Sequence, residues 1–144
     1  MQVVQILKAK GNIEVITLPP EATIATAVQL LAQKRIGAVI VSENGTQAEG
    51  ILSERDIVRE LARQGAAVLS QPVTTVMTRK LVTCARADTV EEVLERMTAG
   101  RFRHMPVIED GQMLGLISIG DAVKARLEVL NMEKEALTGM IMGN

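Results

Sequence analysis

The sequence has no tryptophan, no tyrosine and one phenylalanine, Phe102, in 144 residues. A chain so poor in aromatics lacks the stacking platforms on which single-stranded nucleic acids are held. It has one cysteine, Cys84, which excludes an internal disulfide; with one histidine, His104, it supplies no set of soft ligands for a structural zinc. Cys84 reads as a small buried hydrophobe. An excess of one charge is missing too: 16 Lys and Arg against 17 Asp and Glu leave a net charge of -1. No global field therefore recommends nucleic acid or an anionic membrane as partner. No apolar run approaches the roughly 20 residues of a membrane-spanning helix, and no basic-then-apolar leader opens the chain, so a cytoplasmic location is expected. The chain also lacks a nucleophile–base pair, a Gly-x-Gly-x-x-Gly or Walker loop and a cluster of metal ligands. No catalytic residue, catalytic cofactor or metal site is expected, and the chain does not read as an enzyme.

What is present is a repeat. Ile24, Ala27, Val28 and Leu31 fall at the i, i+3, i+4, i+7 spacing of one helix face, and Val90, Val93, Leu94 and Met97 restate it in the second half. Thr23 and Thr89 stand where an N-cap belongs, with Asp88 a rival in the second copy, and each helix ends near an arginine, Arg35 or Arg101. Short apolar strands follow at 38–41 and 104–108. Glu43-Asn44-Gly45 and Glu109-Asp110-Gly111 then offer the positive φ angles of a hairpin, with return strands at 49–52 and 113–117. A further short strand is expected before each copy, at 13–17 and 81–83, and the segment 64–72 reads as the link between copies. The last helix is expected over 121–138, with Gly139 ending it.

Each return strand enters its helix through Gly50-Ile51-Leu52-Ser53-Glu54-Arg55-Asp56 or Gly115-Leu116-Ile117-Ser118-Ile119-Gly120-Asp121. Backbone N–H groups at such a junction attract an anion, Ser offers a hydroxyl, and the acid can accept two bonds from a ribose diol. The same letters also spell a near capping box, which needs no ligand. Duplication at matched places favours ligand binding.

These junctions, the Val76-Met77-Thr78 run and the Arg103-His104-Met105-Pro106-Val107 strand entry together resemble a tandem pair of cystathionine-beta-synthase (CBS) domains, over nearly the whole chain. The resemblance implies an α/β (α+β) fold of two β-α-β-β-α repeats, 1–72 and 73–144, packed as a pseudo-two-fold module that pairs with a second copy. It implies an adenosine ligand, AMP first and NAD(H), ATP, ADP or S-adenosylmethionine besides. It also implies two clefts, each taking its Ser and Asp from one repeat and its strand-leading residues from the other. One would join Ser53, Arg55 and Asp56 with Thr83, Arg103 and His104; the other would join Ser118, Gly120 and Asp121 with Thr17, Gly37 and Ala38. The first is cationic; the second has little charge unless Lys8, Arg79 or Lys80 reaches it.

The function expected is a nucleotide-sensing homodimer acting on another protein. The alternative is a ligand-free scaffold that mediates dimerisation. Val123, Leu127, Leu130 and Leu137, spaced along the last helix, are the apolar positions expected to meet the second copy.

Overall fold

The computed structural model describes residues 1–11 and 15–142. Its elements in chain order are α1 (Val3–Lys10), β1 (Thr17–Leu18), α2 (Ile24–Lys34), β2 (Ala38–Val41), β3 (Gly50–Ser53), α3 (Glu54–Gln64), α4 (Val90–Gly100), β4 (His104–Glu109), β5 (Gln112–Ser118) and α5 (Ile119–Ile141). Short 3-10 turns follow at Gly65–Ser70, in the segment expected to link the copies, and at Val73–Thr75, just beyond it.

Both leading helices of the repeats form as their patterns require. Thr23 and Thr89 are the N-caps, their hydroxyls accepting from the N–H of Thr26 and of Glu92 at 3.2 Å each. Asp88 is not the cap; its carboxylate instead accepts from the Ala85 N–H and from Arg96, each at 2.8 Å. Each helix stops on an arginine in the left-handed region, Arg35 at φ 54° and Arg101 at φ 57°.

The chain divides into two compact units that do not follow chain order. Among the described residues, one holds 15–81 with 110–114, and the other holds 1–11, 82–109 and 115–142. In the first, β1 pairs in parallel with β2, which pairs antiparallel with β3 in the register Ala38 to Ser53. All four residues of β2 are buried, as expected of a central strand covered on both faces. Ile24, Leu31, Val39, Val41 and Leu52 pack with Val68, Val73 and Val76 from beyond α3. In the second unit, Val90, Val93, Met97, Met105, Val107 and Ile117 pack with Ala122 and Ala125 of α5 and with Val3 and Ile6 of α1. Cys84 sits in this core, 4% exposed.

The segment 1–7 therefore does in the second unit what 71–77 does in the first. Val90 N donates to Met1 O at 3.0 Å and Ile24 N to Gln71 O at 2.9 Å, at the same point of each repeat. Val3 and Val73 are both fully buried, and Leu7 and Met77 each press on the glycine of their unit's Gly-x-x-Ser-x-x-Asp junction. Leu7 Cδ2 lies 2.5 Å from where a Cβ on Gly115 would stand, and Met77 Sδ 2.6 Å from one on Gly50. The motif glycine is thus required by close approach of the flanking segment.

Several expectations need correction. The Asp110-Gly111 turn has both residues at positive φ, 52° and 74°, as a tight hairpin needs. At Asn44-Gly45 only the glycine does; Asn44 turns the wider loop with its side chain, Oδ1 accepting from Thr46 N and Gln47 N at 2.9 Å each. The strand expected at 81–83 shrinks to a single parallel bridge, Cys84 to Val107. Of the strand expected at 13–17, Thr17 is in β1, while 13 and 14 lie outside the described residues. Gly139 does not end α5, which continues to Ile141; an isolated glycine costs a helix only about 1 kcal/mol. Helix α1 was not expected at all, although Val3, Ile6 and Leu7 carry its i, i+3, i+4 face.

Candidate functional site

The two junctions are built alike. At the first, Ser53 Oγ accepts from Asp56 N at 3.2 Å, and Asp56 Oδ2 accepts from Ser53 N and Ser53 Oγ at 3.0 Å each. At the second, Ser118 Oγ accepts from Asp121 N at 3.1 Å, and Asp121 Oδ2 accepts from Ser118 N at 2.9 Å. Both are closed capping boxes. The next N–H is also taken in each: Glu54 N donates to Gly37 O at 3.0 Å and Ile119 N to Arg103 O at 2.8 Å.

That last pair of bonds attaches the residue leading each middle strand to the junction of its own unit. Gly37 and Ala38 lie beside Ser53 and Asp56, with Ala38 directly across the sheet from Ser53. Arg103 is bonded through its carbonyl to Ile119 N, between Ser118 and Gly120, and His104 opens β4. Within each unit, backbone contact thus sets the residue leading the middle strand beside the junction of its own repeat. The reason is topological: a hairpin brings the start of its first strand to the end of its second, where the following helix begins. Thr17 pairs with Ile40 in the first unit, and Thr83, whose carbonyl accepts from Arg96 Nη1 at 3.2 Å, lies in the second. Arg55 sits in the first turn of α3, exposed, and Gly120 is exposed in the first turn of α5.

The acids differ in their countercharge. Asp56 is met on Oδ1 by Arg59 of its own helix at 3.1 Å. Asp121 is met on Oδ2 by Lys10 at 2.8 Å, and Lys10 also donates to the carbonyl of Leu116 at 2.9 Å. Burial acts to raise the Asp121 carboxyl, but the bonds from Lys10 and Ser118 outweigh it and hold the group below its ordinary value of 3.8. Lys10 was missed in the sequence because the helix that carries it was missed. Among the described residues there is no group of His, Cys, Asp and Glu able to hold a metal ion, and no helix is long and apolar enough to cross a membrane.

The model of the CBS domain matches residues 11–63 and again 73–128. The chain belongs to the CBS domain family. It carries two CBS repeats, and the CBS-domain containing protein ATU1752 from Agrobacterium tumefaciens is 44% identical, with a TM-score of 0.83 over 88% of this chain and 99% of that one. The CBS domain protein PAE2072 from Pyrobaculum aerophilum, solved in complex with AMP, is 27% identical with a TM-score of 0.74, covering 84% of this chain and 89% of that one. Among curated relatives, the mitochondrial CBS domain-containing protein CBSX3 of Arabidopsis thaliana is 37% identical over 84% of this chain. The chain spans 61% of that relative's length, and 24% of the 30% identical CBSCBSPB1 from the same plant. The mixed α/β fold of two CBS repeats agrees with the expectation from sequence.

Proposed function

We propose that this CBS pair is a regulatory module that binds an adenosine nucleotide, AMP first among AMP, NAD(H) and ATP, and acts as a homodimer on a protein partner rather than as a catalyst. The observation that carries the reading is the duplicated junction: each presents a Ser hydroxyl, a carboxylate and the N-terminus of a helix of eleven residues or more, in a chain related to one solved with AMP. In this reading Asp56 and Asp121 receive the ribose hydroxyls. Asp121 Oδ1 accepts no hydrogen bond from a described residue and is the oxygen open to them. Arg103, exposed at the entry to β4, His104 and Arg55 supply the phosphate contacts, with Gly37, Ala38 and Gly120 leaving room for the base. Thr17 and Thr83 complete the set from the strand-leading positions.

Exposed apolar residues support the homodimer. Val123, Leu127, Leu130 and Leu137 of α5 stay 44–60% exposed. Helices α2 and α3 enclose a groove of about 570 Å³ lined by Val28, Leu31, Ile57, Val58 and Leu61.

A thermal-shift and calorimetry series with AMP, ATP, NAD, NADH and S-adenosylmethionine tests the reading, since ligand at a hundredfold over its Kd stabilises a fold by about 2.7 kcal/mol. No shift and no heat with any of them at millimolar concentration would refute it. The result would then favour the second reading, a ligand-free scaffold, whose support is that both acids complete capping boxes.

A further inference from the structure

We propose that Lys10 determines ligand specificity at the Ser118 junction, setting it for anionic nucleotides against neutral nucleosides. The inference rests on the nucleotide reading above and concerns an element outside both repeats' Gly-x-x-Ser-x-x-Asp motifs. Helix α1 is held in its unit by Val3 N and Val4 N, which donate to Asp88 O and Arg86 O at 2.9 and 3.0 Å, and by Leu7 against Gly115. That seating delivers Lys10, in the last turn, to Asp121 Oδ2 and Leu116 O. The oxygen it occupies already accepts from Ser118 N, which leaves Oδ1 alone for an incoming hydroxyl.

The first repeat shows what is particular here. Its acid is balanced by Arg59 from the same helix, and Lys80, which follows 71–77 as Lys10 follows 1–7, makes no ion pair with Asp56 among the described residues. At Asp56 the countercharge comes from the helix that bears the acid; at Asp121 it comes from a separate element. A vicinal diol that takes both carboxylate oxygens of Asp121 must displace an ammonium held by a charge-assisted bond, and a neutral hydroxyl is the weaker partner. Adenosine brings nothing to re-pair that ammonium. AMP brings a phosphate, and an ammonium with three donors can keep a bond to the protein while turning another to the phosphate. Lys10 thus opposes the neutral ligand and favours the charged one.

The test is calorimetric titration of the full chain with AMP and with adenosine, in wild type, Lys10→Met, Lys10→Arg and Lys124→Met. Lys124 is exposed one turn beyond Asp121 on α5 and controls for the loss of a nearby charge. Lys10→Met should cut the preference for AMP over adenosine roughly tenfold or more, weakening AMP while leaving adenosine equal or tighter. Lys10→Arg and Lys124→Met should keep the preference within about threefold. A Lys10→Met variant that loses both ligands in equal proportion, or neither, overturns the inference and leaves nucleotide binding standing. If Lys10→Met does not fold, Lys10→Gln takes its place with the same criteria. A wild type that binds neither AMP nor adenosine overturns the role of Lys10, and if it binds none of ATP, NAD, NADH and S-adenosylmethionine either, the nucleotide reading falls with it.

Discussion

Alanine at the two motif glycines should have unequal effects, and the difference follows from what a methyl group would meet. Neither glycine has positive φ, so alanine fits the backbone at both and gains about 0.4–1 kcal/mol by restricting the unfolded chain. At Gly115 the three atoms nearest the new Cβ all belong to Leu7, with Cδ2 at 2.5 Å, the far end of a side chain that can turn away. At Gly50 it meets Met77 Sδ at 2.6 Å and also the backbone oxygen of Thr78 at 3.0 Å. That oxygen cannot yield without disturbing the bridge in which Ile51 N donates to Thr78 O at 2.9 Å and Thr78 N to Ile51 O at 2.8 Å. Overpacking costs about 1–3 kcal/mol, so Gly50→Ala should destabilise by about 1–2 kcal/mol net and Gly115→Ala by about 0–1 kcal/mol. Urea melts of both variants measure this. Adding Leu7→Ala to Gly115→Ala should cost less than the sum of the single changes, by about 0.5–1 kcal/mol, because the truncation removes the clash. A Gly115→Ala loss equal to or above that of Gly50→Ala, or a strictly additive double variant, would refute the packing account of the motif glycines.

Asp56→Ala and Asp121→Ala should each lower stability by about 1 kcal/mol through loss of a capping box, and each should also weaken AMP at one site. Chemical melts beside calorimetry separate the two effects, and normal AMP binding in both variants would leave only the cap. The Cys84 thiol is pushed up to about 11, by burial first and by Asp88 next, with Arg96 opposing. The folded chain should therefore react with a thiol-alkylating reagent at pH 8 at least tenfold more slowly than the chain in denaturant; equal rates would contradict its burial. Asp88 is held below its ordinary 3.8, chiefly by Arg96 and then by the Ala85 N–H. Because its folded pKa is the lower one, the unfolded state binds more protons between the two values. Its contribution is complete above the ordinary carboxylate range and is lost as pH falls through the lowered value. Asp88→Asn should flatten the decline of thermal stability below about pH 4, and an unchanged decline in pH-dependent melts would argue against the pairing.

Much of the fold was legible because it is written twice in helical and strand periods. Positions such as Thr23, Thr89 and the two arginine C-caps could be placed by matching one copy with the other. The caps, the glycine turn at 110–111 and the burial of Cys84 are local consequences of residue type. What escaped depends on tertiary placement. Helix α1 is short and owes its place to contacts with a segment some eighty residues away, which periodicity in its own few residues signals only weakly. The match of 1–7 with 71–77 is one of position rather than letters: Met1-Gln2-Val3 and Gln71-Pro72-Val73 share only the buried valine. The bond from Ile119 N to Arg103 O depends on which ends of a hairpin meet. Ser53 and Asp56 were legible as a pair, but whether the pair serves as cap or ligand site is ambiguous in sequence, since both uses ask for the same two residues.

The exchange of leading segments has a consequence for how the chain is made. The first repeat finds its completing stretch, 71–77, directly downstream, whereas the second is completed by residues that left the ribosome before either repeat existed. Closing that loop, from Val3 to Asp88, is the entropically longer step. The stretch 15–81 of the first unit can thus form while synthesis continues, whereas residues 1–7, made before both repeats, find their partners only after 82–90 have appeared.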